Sequence, residues 1–137
     1  MLGLWLAIGN ALGGSVVLPA LHGADPTSKV GAEIVYAELI QALSDRQLTV
    51  MDSQDLRGRV GPMATTCSTR ESCPGDIWDR IDGRILVKGS VVMVGEDIDA
   101  SLAFYRRGDI QPADRFEASF SSDIASRFAV DAALIVD

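Results

Sequence analysis

The two cysteines of the chain, Cys67 and Cys73, are its most reactive side chains. They enclose the polar segment Ser-Thr-Arg-Glu-Ser, a spacing that favours an exposed loop closed by a disulfide. Closing so short a loop stabilises a fold by only about 2 kcal/mol through chain entropy, so the bond would order the loop more than the domain. We prefer this structural disulfide, which places the protein outside the reducing cytosol.

Three other interpretations of the cysteine pair stay open. A structural zinc site needs four ligands, and His22, the one histidine of the sequence, lies far from the cysteines, which disfavours a metal. Redox-active pairs are usually spaced Cys-x-x-Cys beside a helix start; Pro74 begins a helix here, but the spacing is wider. Two buried free thiols would fit a cytosolic protein.

Other side chains give weaker signals of chemistry. His22 follows a strand with no Ser or Cys nucleophile near it in the sequence, and we assign it no role. Asp76, Asp79 and Asp82 recur every three residues, which indicates the solvated side of a short helix more than a cation site. We therefore predict no catalytic residue, no metal site and no cofactor.

Composition indicates a folded domain that does not bind nucleic acid. The chain has 137 residues, of which 47% are hydrophobic and 23% are charged, as in ordinary globular domains. Its net charge of −7 is spread along the sequence, and this disfavours phosphate-rich partners. DNA and RNA are therefore not expected as ligands.

The amino-terminal residues resemble part of a secretory signal. No side chain that is charged at neutral pH occurs before Asp25, and the apolar run from Leu2 to Ile8 is followed by small residues. A basic start is missing, so residues 1–13 are interpreted as a truncated signal or apolar leader. A buried first element and a membrane anchor are the alternatives, and membrane contact is expected only through this leader.

The elements that would position the cysteines follow from hydrophobic spacing. The first half of the chain predicts a strand at Gly14–Leu21, a helix at Pro26–Ser44 capped by Asp25, a strand around Leu48–Val50, and a brief helical turn through Leu56. The second half predicts a loop at Gly58–Thr66, a short helix from Pro74 to Gly83, strands at Arg84–Val94, Ile98–Tyr105 and Phe116–Phe120, and a final helix bearing Ile124, Phe128, Ala132 and Ile135.

These elements predict one α/β domain over residues 14–137. Its mixed sheet has about five strands, in the order β-α-β-(short α)-β-β-β-α, with the helices packed on the sheet.

The order of elements resembles the TolB amino-terminal domain and the curli-secretion-type (CsgG-like) α/β domains of bacterial envelope proteins. The most specific part is TTCSTRESCPGDIWDRIDGRILVKGSVVMVGEDIDASLAFYRRGD, with two cysteines, a short helix and an apolar strand that contains Gly89-Ser90. The sequence departs from the family pattern at Arg107–Asp114, which lengthens the last hairpin, and at Gly58–Thr66, which stands in place of a longer second helix.

The resemblance implies a non-enzymatic envelope module that binds or assembles with a protein partner, through a strand edge or the loop between Cys67 and Cys73. The candidate interaction loop contains Arg70 and Glu71, with the neighbouring Trp78, whose indole is also expected to pack in the core. Localisation is expected to be periplasmic or otherwise exported. The alternative is a small thiol-active or ligand-binding enzyme of the periplasm, with a pocket that converges on the cysteines or His22.

Overall fold

A computed structural model describes residues 15–136, and the predicted leader at residues 1–13 lies outside them. The strands of this part are β1 (Ser15–Val17), β2 (Thr49–Met51), β3 (Ile85–Val94), β4 (Asp97–Arg106) and β5 (Asp114–Ser121). The helices are α1 (Pro26–Asp45), α2 (Ser53–Val60), α3 (Met63–Thr66), α4 (Cys73–Trp78) and α5 (Ala125–Val136). Single 3₁₀ turns follow α3 and β5.

The five strands form one mixed sheet in the spatial order β2-β1-β3-β4-β5. β1 pairs in parallel with both β2 and β3, and β3, β4 and β5 form an antiparallel meander. The turn between β3 and β4 contains Gly95 at φ 63°, a conformation that suits the first position of a tight hairpin turn. The predicted α/β class and order of elements are confirmed.

The larger hydrophobic core lies between one face of the sheet and the helices α1 and α5. The side chain of Asp25 accepts a hydrogen bond from the Ser28 N–H at 2.8 Å, so it caps α1 as predicted. Phe128 of α5 stacks on two rings of β5, those of Phe116 and Phe120, at centroid distances of 5.0 and 4.7 Å. These contacts fix the last helix over the meander.

The other face of the sheet is only partly covered. A smaller core there joins α2, α3 and α4 to β1, β2 and the start of β3. Beyond this core, every second side chain of β3, β4 and β5 points away from the long helices and is exposed or half-buried. We call the surface that these side chains form the open face. Its residues are Ser90, Val92, Val94, Asp97, Asp99, Ser101, Ala103, Arg115, Glu117, Ser119 and Ser121.

The prediction of a loop at Gly58–Thr66 is wrong. α2 continues through Gly58 to Val60, and α3 occupies Met63–Thr66. Leu56 and Val60 are one helical turn apart and both buried, so their packing outweighs the low helix propensity of Gly58. The actual break is at Gly61, where the backbone takes a φ of 75°.

Other element boundaries also differ from the prediction. β1 ends at Val17 and not Leu21, since Pro19 has no N–H for a ladder bond. α4 ends at Trp78 instead of Gly83. Ile124 lies in the 3₁₀ turn before α5 and is 42% exposed, so it does not belong to the buried side of that helix.

Gly89, in the Gly-Ser pair of the apolar strand, lies where no side chain fits. A Cβ at this position would be 2.5 Å from Leu102 Cδ2 and 2.9 Å from the Ser101 carbonyl oxygen. We expect Gly89→Ala to lower the free energy of unfolding by about 1–3 kcal/mol, measured by urea denaturation followed by circular dichroism. Gly58→Ala is the control, because a Cβ there meets nothing within 4 Å and alanine favours the helix. Equal stability of the two variants would contradict this packing.

Candidate interaction surface

Cys67 and Cys73 form the predicted disulfide, with their Cα atoms 5.1 Å apart. Both residues are 0% exposed and belong to the smaller core, in contact with the layer that contains Leu56 and Ile77. The bond itself is therefore buried, while the segment that it closes faces outward. An attacking thiolate cannot reach either sulfur unless this part of the structure opens.

The segment Ser68–Ser72, which we call the disulfide loop, rests on the sheet through Ser68. The Ser68 hydroxyl donates to the Ala20 carbonyl at 2.9 Å and accepts from the Gly89 N–H at 3.2 Å. Ser68 is half-buried, whereas the remaining residues of the loop are exposed. One hydroxyl thus joins the loop both to the chain after β1 and to the central strand β3.

Lys88 makes a second attachment between the loop and β3. Its side chain is only 8% exposed, and Nζ donates to the Arg70 carbonyl at 2.7 Å. The ammonium also lies 5.5 Å from the centroid of the Tyr105 ring. Burial lowers the pKa of Lys88, and the negative charge of Glu71 opposes that shift. A buried ammonium group without a hydrogen-bond partner destabilises a fold. The Arg70 carbonyl therefore stabilises the Lys88 side chain, and the same hydrogen bond holds the loop on β3.

The side chains of the loop are held partly by α4. The Asp76 carboxylate accepts from the Arg70 guanidinium at 3.2 Å and from the Ser72 hydroxyl at 2.8 Å. Glu71 is exposed. The structure therefore places two of the three predicted interaction residues, Arg70 and Glu71, on the surface.

Trp78, the third predicted residue, belongs to the core and not to the surface. It is 6% exposed, and its indole N–H donates to the Asp109 carbonyl at 3.0 Å. The Arg107 guanidinium lies 5.7 Å from the ring centroid and donates to the Trp78, Ile81 and Gly83 carbonyls. Trp78 cannot offer its ring to a partner, but it anchors the long connection between β4 and β5.

Sequence reasoning missed both residues that attach the loop. Lys88 gave a usable signal, because it is the only charge inside the apolar run ILVKGSVVMV, and a charge in a central strand requires a partner. Ser68 gave none, since its two partners lie 48 and 21 positions away in the sequence.

A wide cleft among the described residues lies at β2 and the amino-terminal end of β1 and has a volume of about 1190 Å³. Arg59, Arg84 and Arg107 line it together with Asp55 and Asp82. The Arg107 guanidinium is already bonded to three backbone carbonyls. Neither cysteine lines this cleft.

A smaller crevice of about 390 Å³ lies at the carboxyl end of β1 and includes His22. The backbone of His22 bridges to Ser90, while its side chain is exposed. Tyr36 also lines the crevice, but its hydroxyl donates to the Leu18 carbonyl at 2.6 Å and accepts from the Ser53 N–H at 2.8 Å. Burial raises the pKa of Tyr36. The tyrosine therefore serves the fold.

Within residues 15–136, no helix is long and apolar enough to cross a membrane. Comparison with known proteins adds no assignment: no family model matches the chain, and no curated protein matches it significantly.

The role of Ser68 is open to a direct test. We expect Ser68→Ala to cost about 1–3 kcal/mol of unfolding free energy, because the Gly89 N–H loses its partner in a half-buried site. Thr69→Ala is the matched control: its exposed hydroxyl donates to the nearby Thr66 carbonyl, so we expect a loss below about 0.5 kcal/mol. Equal losses in urea denaturation would show that the loop is not attached through Ser68.

Proposed function

We propose that the protein is a non-enzymatic binding or assembly module of the bacterial envelope, which docks a protein partner on the disulfide loop and the adjoining open face. The observation that carries this proposal is the attachment of an exposed loop by a buried disulfide, by Ser68 and by Lys88. A loop that is ordered before binding loses less conformational entropy when a partner docks.

The disulfide supports the envelope as the compartment. Structural disulfides persist in oxidising compartments such as the bacterial periplasm and are rare in the cytosol. The resemblance to TolB amino-terminal and curli-secretion-type domains, carried by the segment around the two cysteines, supports the same placement.

The surface beside the loop has the composition of a binding site. Val92 and Val94 are 50% and 57% exposed on the open face, next to Asp97 and Asp99 of the neighbouring strand. Exposed apolar side chains surrounded by polar groups are typical of the surfaces that proteins use to recognise one another. The charged side chains around them favour a partner with complementary charge.

A ligand-binding function is the second candidate, and the crevice beside His22 is the observation that favours it. Open α/β sheets bind ligands outside the carboxyl ends of parallel strands, and the crevice lies there. A thiol-exchange activity has less support, because both cysteines are completely buried in the disulfide. The exposed, ordered loop favours protein binding over both.

The docking surface can be tested by reversing one loop charge. Tagged full-length chain is used to capture crosslinked partners from envelope extracts, and the captured proteins are quantified by mass spectrometry. We expect Glu71→Lys to reduce capture of the specific partner about tenfold or more, as charge reversal within an interface does. Asp131→Lys makes the same charge change on the exposed side of α5, and this control should capture the partner normally.

Two results would contradict the proposal. One is equal capture by wild type and Glu71→Lys, which would place the contact elsewhere. The other is recovery of the native chain with reactive thiols, detected by alkylation with and without reduction, which would place the protein in a reducing compartment.

A further inference from the structure

The outer edge of β5 borders the open face, and the proposed function does not use the unpaired backbone groups of this edge. β5 is the last strand of the sheet, and among the described residues it pairs only with β4. Its eight residues keep a regular register with β4, without a bulge, and contain neither proline nor glycine. Edge strands that lack such interruptions present unpaired N–H and C=O groups that can pair with another strand.

The charges of β5 are arranged in a self-complementary way. Arg115 and Glu117 are both exposed and both lie on the open face, with Phe116 between them on the helix side. Phe116 is held there by its stack with Phe128. An acidic and a basic side chain two positions apart on one face can each meet the opposite charge in an antiparallel copy of the same strand.

Symmetry restricts how two copies of β5 can pair. When a two-fold axis perpendicular to the sheet relates the two copies, both open faces lie on the same side. The axis then passes between one residue of β5 and the same residue of the other copy. With the axis at Phe116, Arg115 of each copy lies opposite Glu117 of the other. With the axis at Arg115 or Glu117, like charges lie opposite each other, which is destabilising. An axis at Ala118 leaves both charges opposite serines.

We propose that the protein forms a two-fold dimer by antiparallel pairing of β5 with β5 of a second copy, centred on Phe116. The pairing joins the two sheets into one continuous sheet and brings two Arg115–Glu117 contacts together on the open face. Strand residues from Asp114 to Ala118 of each copy take part. Because this contact is short, the dimer is reversible and its population depends on concentration.

The dimer also bears on partner binding, a consequence that rests on the proposed function. Both disulfide loops then lie on the same side of the joined sheet. A partner with two copies of its docking segment would bind with increased avidity. The pairing itself does not depend on any such partner.

Exchanging the charges of Arg115 and Glu117 tests the proposed register between β5 and its copy. Sedimentation equilibrium over a range of protein concentrations measures dimerisation of full-length wild type, Arg115→Glu, Glu117→Arg and the double exchange. Each single variant replaces two attractive pairs with two repulsive ones, so we expect its dissociation constant to rise about tenfold or more. The double exchange restores opposite charges and should return the dissociation constant to within about threefold of the wild-type value. Arg80→Glu, which changes an exposed charge away from β5, should have no effect.

The salt dependence of wild-type dimerisation is a second test of the proposed dimer, and it needs no variant. Exposed ion pairs are screened by salt, so raising the ionic strength should weaken dimerisation of wild type and of the double exchange alike. Circular dichroism of each variant establishes that it is folded.

Three results would overturn the proposal. They are a wild type that stays monomeric at every concentration, folded single variants that dimerise as well as wild type, and a folded double exchange that does not recover.

Discussion

The contact of the disulfide loop with β3 is the constraint on which the second layer of the structure depends. β3 is the central strand of the sheet, and the two attachments lie on adjacent residues of it, Lys88 and Gly89. On the other side of the loop, the disulfide ties it to the core around α2, α3 and α4. Without these contacts the short helices would be held to the sheet by the smaller core and by the hydrogen bonds of Trp78 and Arg107.

The two layers on the sheet therefore differ in what stabilises them. On the helix side, two long helices bury a continuous apolar core, and this hydrophobic burial is the main contribution to the stability of that layer. On the other side, α3 and α4 have four and six residues, too short to be stable by themselves. The disulfide and a few partly buried hydrogen bonds help to hold these short helices in place. Most of the open face stays accessible to solvent. The loop and the open face beside it form the surface on which the proposed binding function rests.

Much of the fold could be predicted because it depends on local patterns. The alternation of Ile98, Ala100, Leu102 and Phe104 fixed the face of β4, and the Asp25-Pro26 pair marked the start of α1. The helix through Gly58 was not predictable in this way, since Gly favours a break and only the packing of Leu56 and Val60 overrides it. The candidate site was half predictable. Its cysteines are visible in the sequence, whereas Ser68 finds its partners only after the chain has folded.

The disulfide is expected to hold a preformed loop on β3, and hydrogen exchange before and after reduction tests this. In the oxidised protein, the Gly89 amide should exchange slowly because Ser68 accepts its hydrogen bond. Reduction should accelerate exchange in residues 68–72 and at Gly89, while amides of α1 and α5 keep their protection, because local opening does not require global unfolding. Unchanged exchange at Gly89 and in the loop after complete reduction would contradict the account.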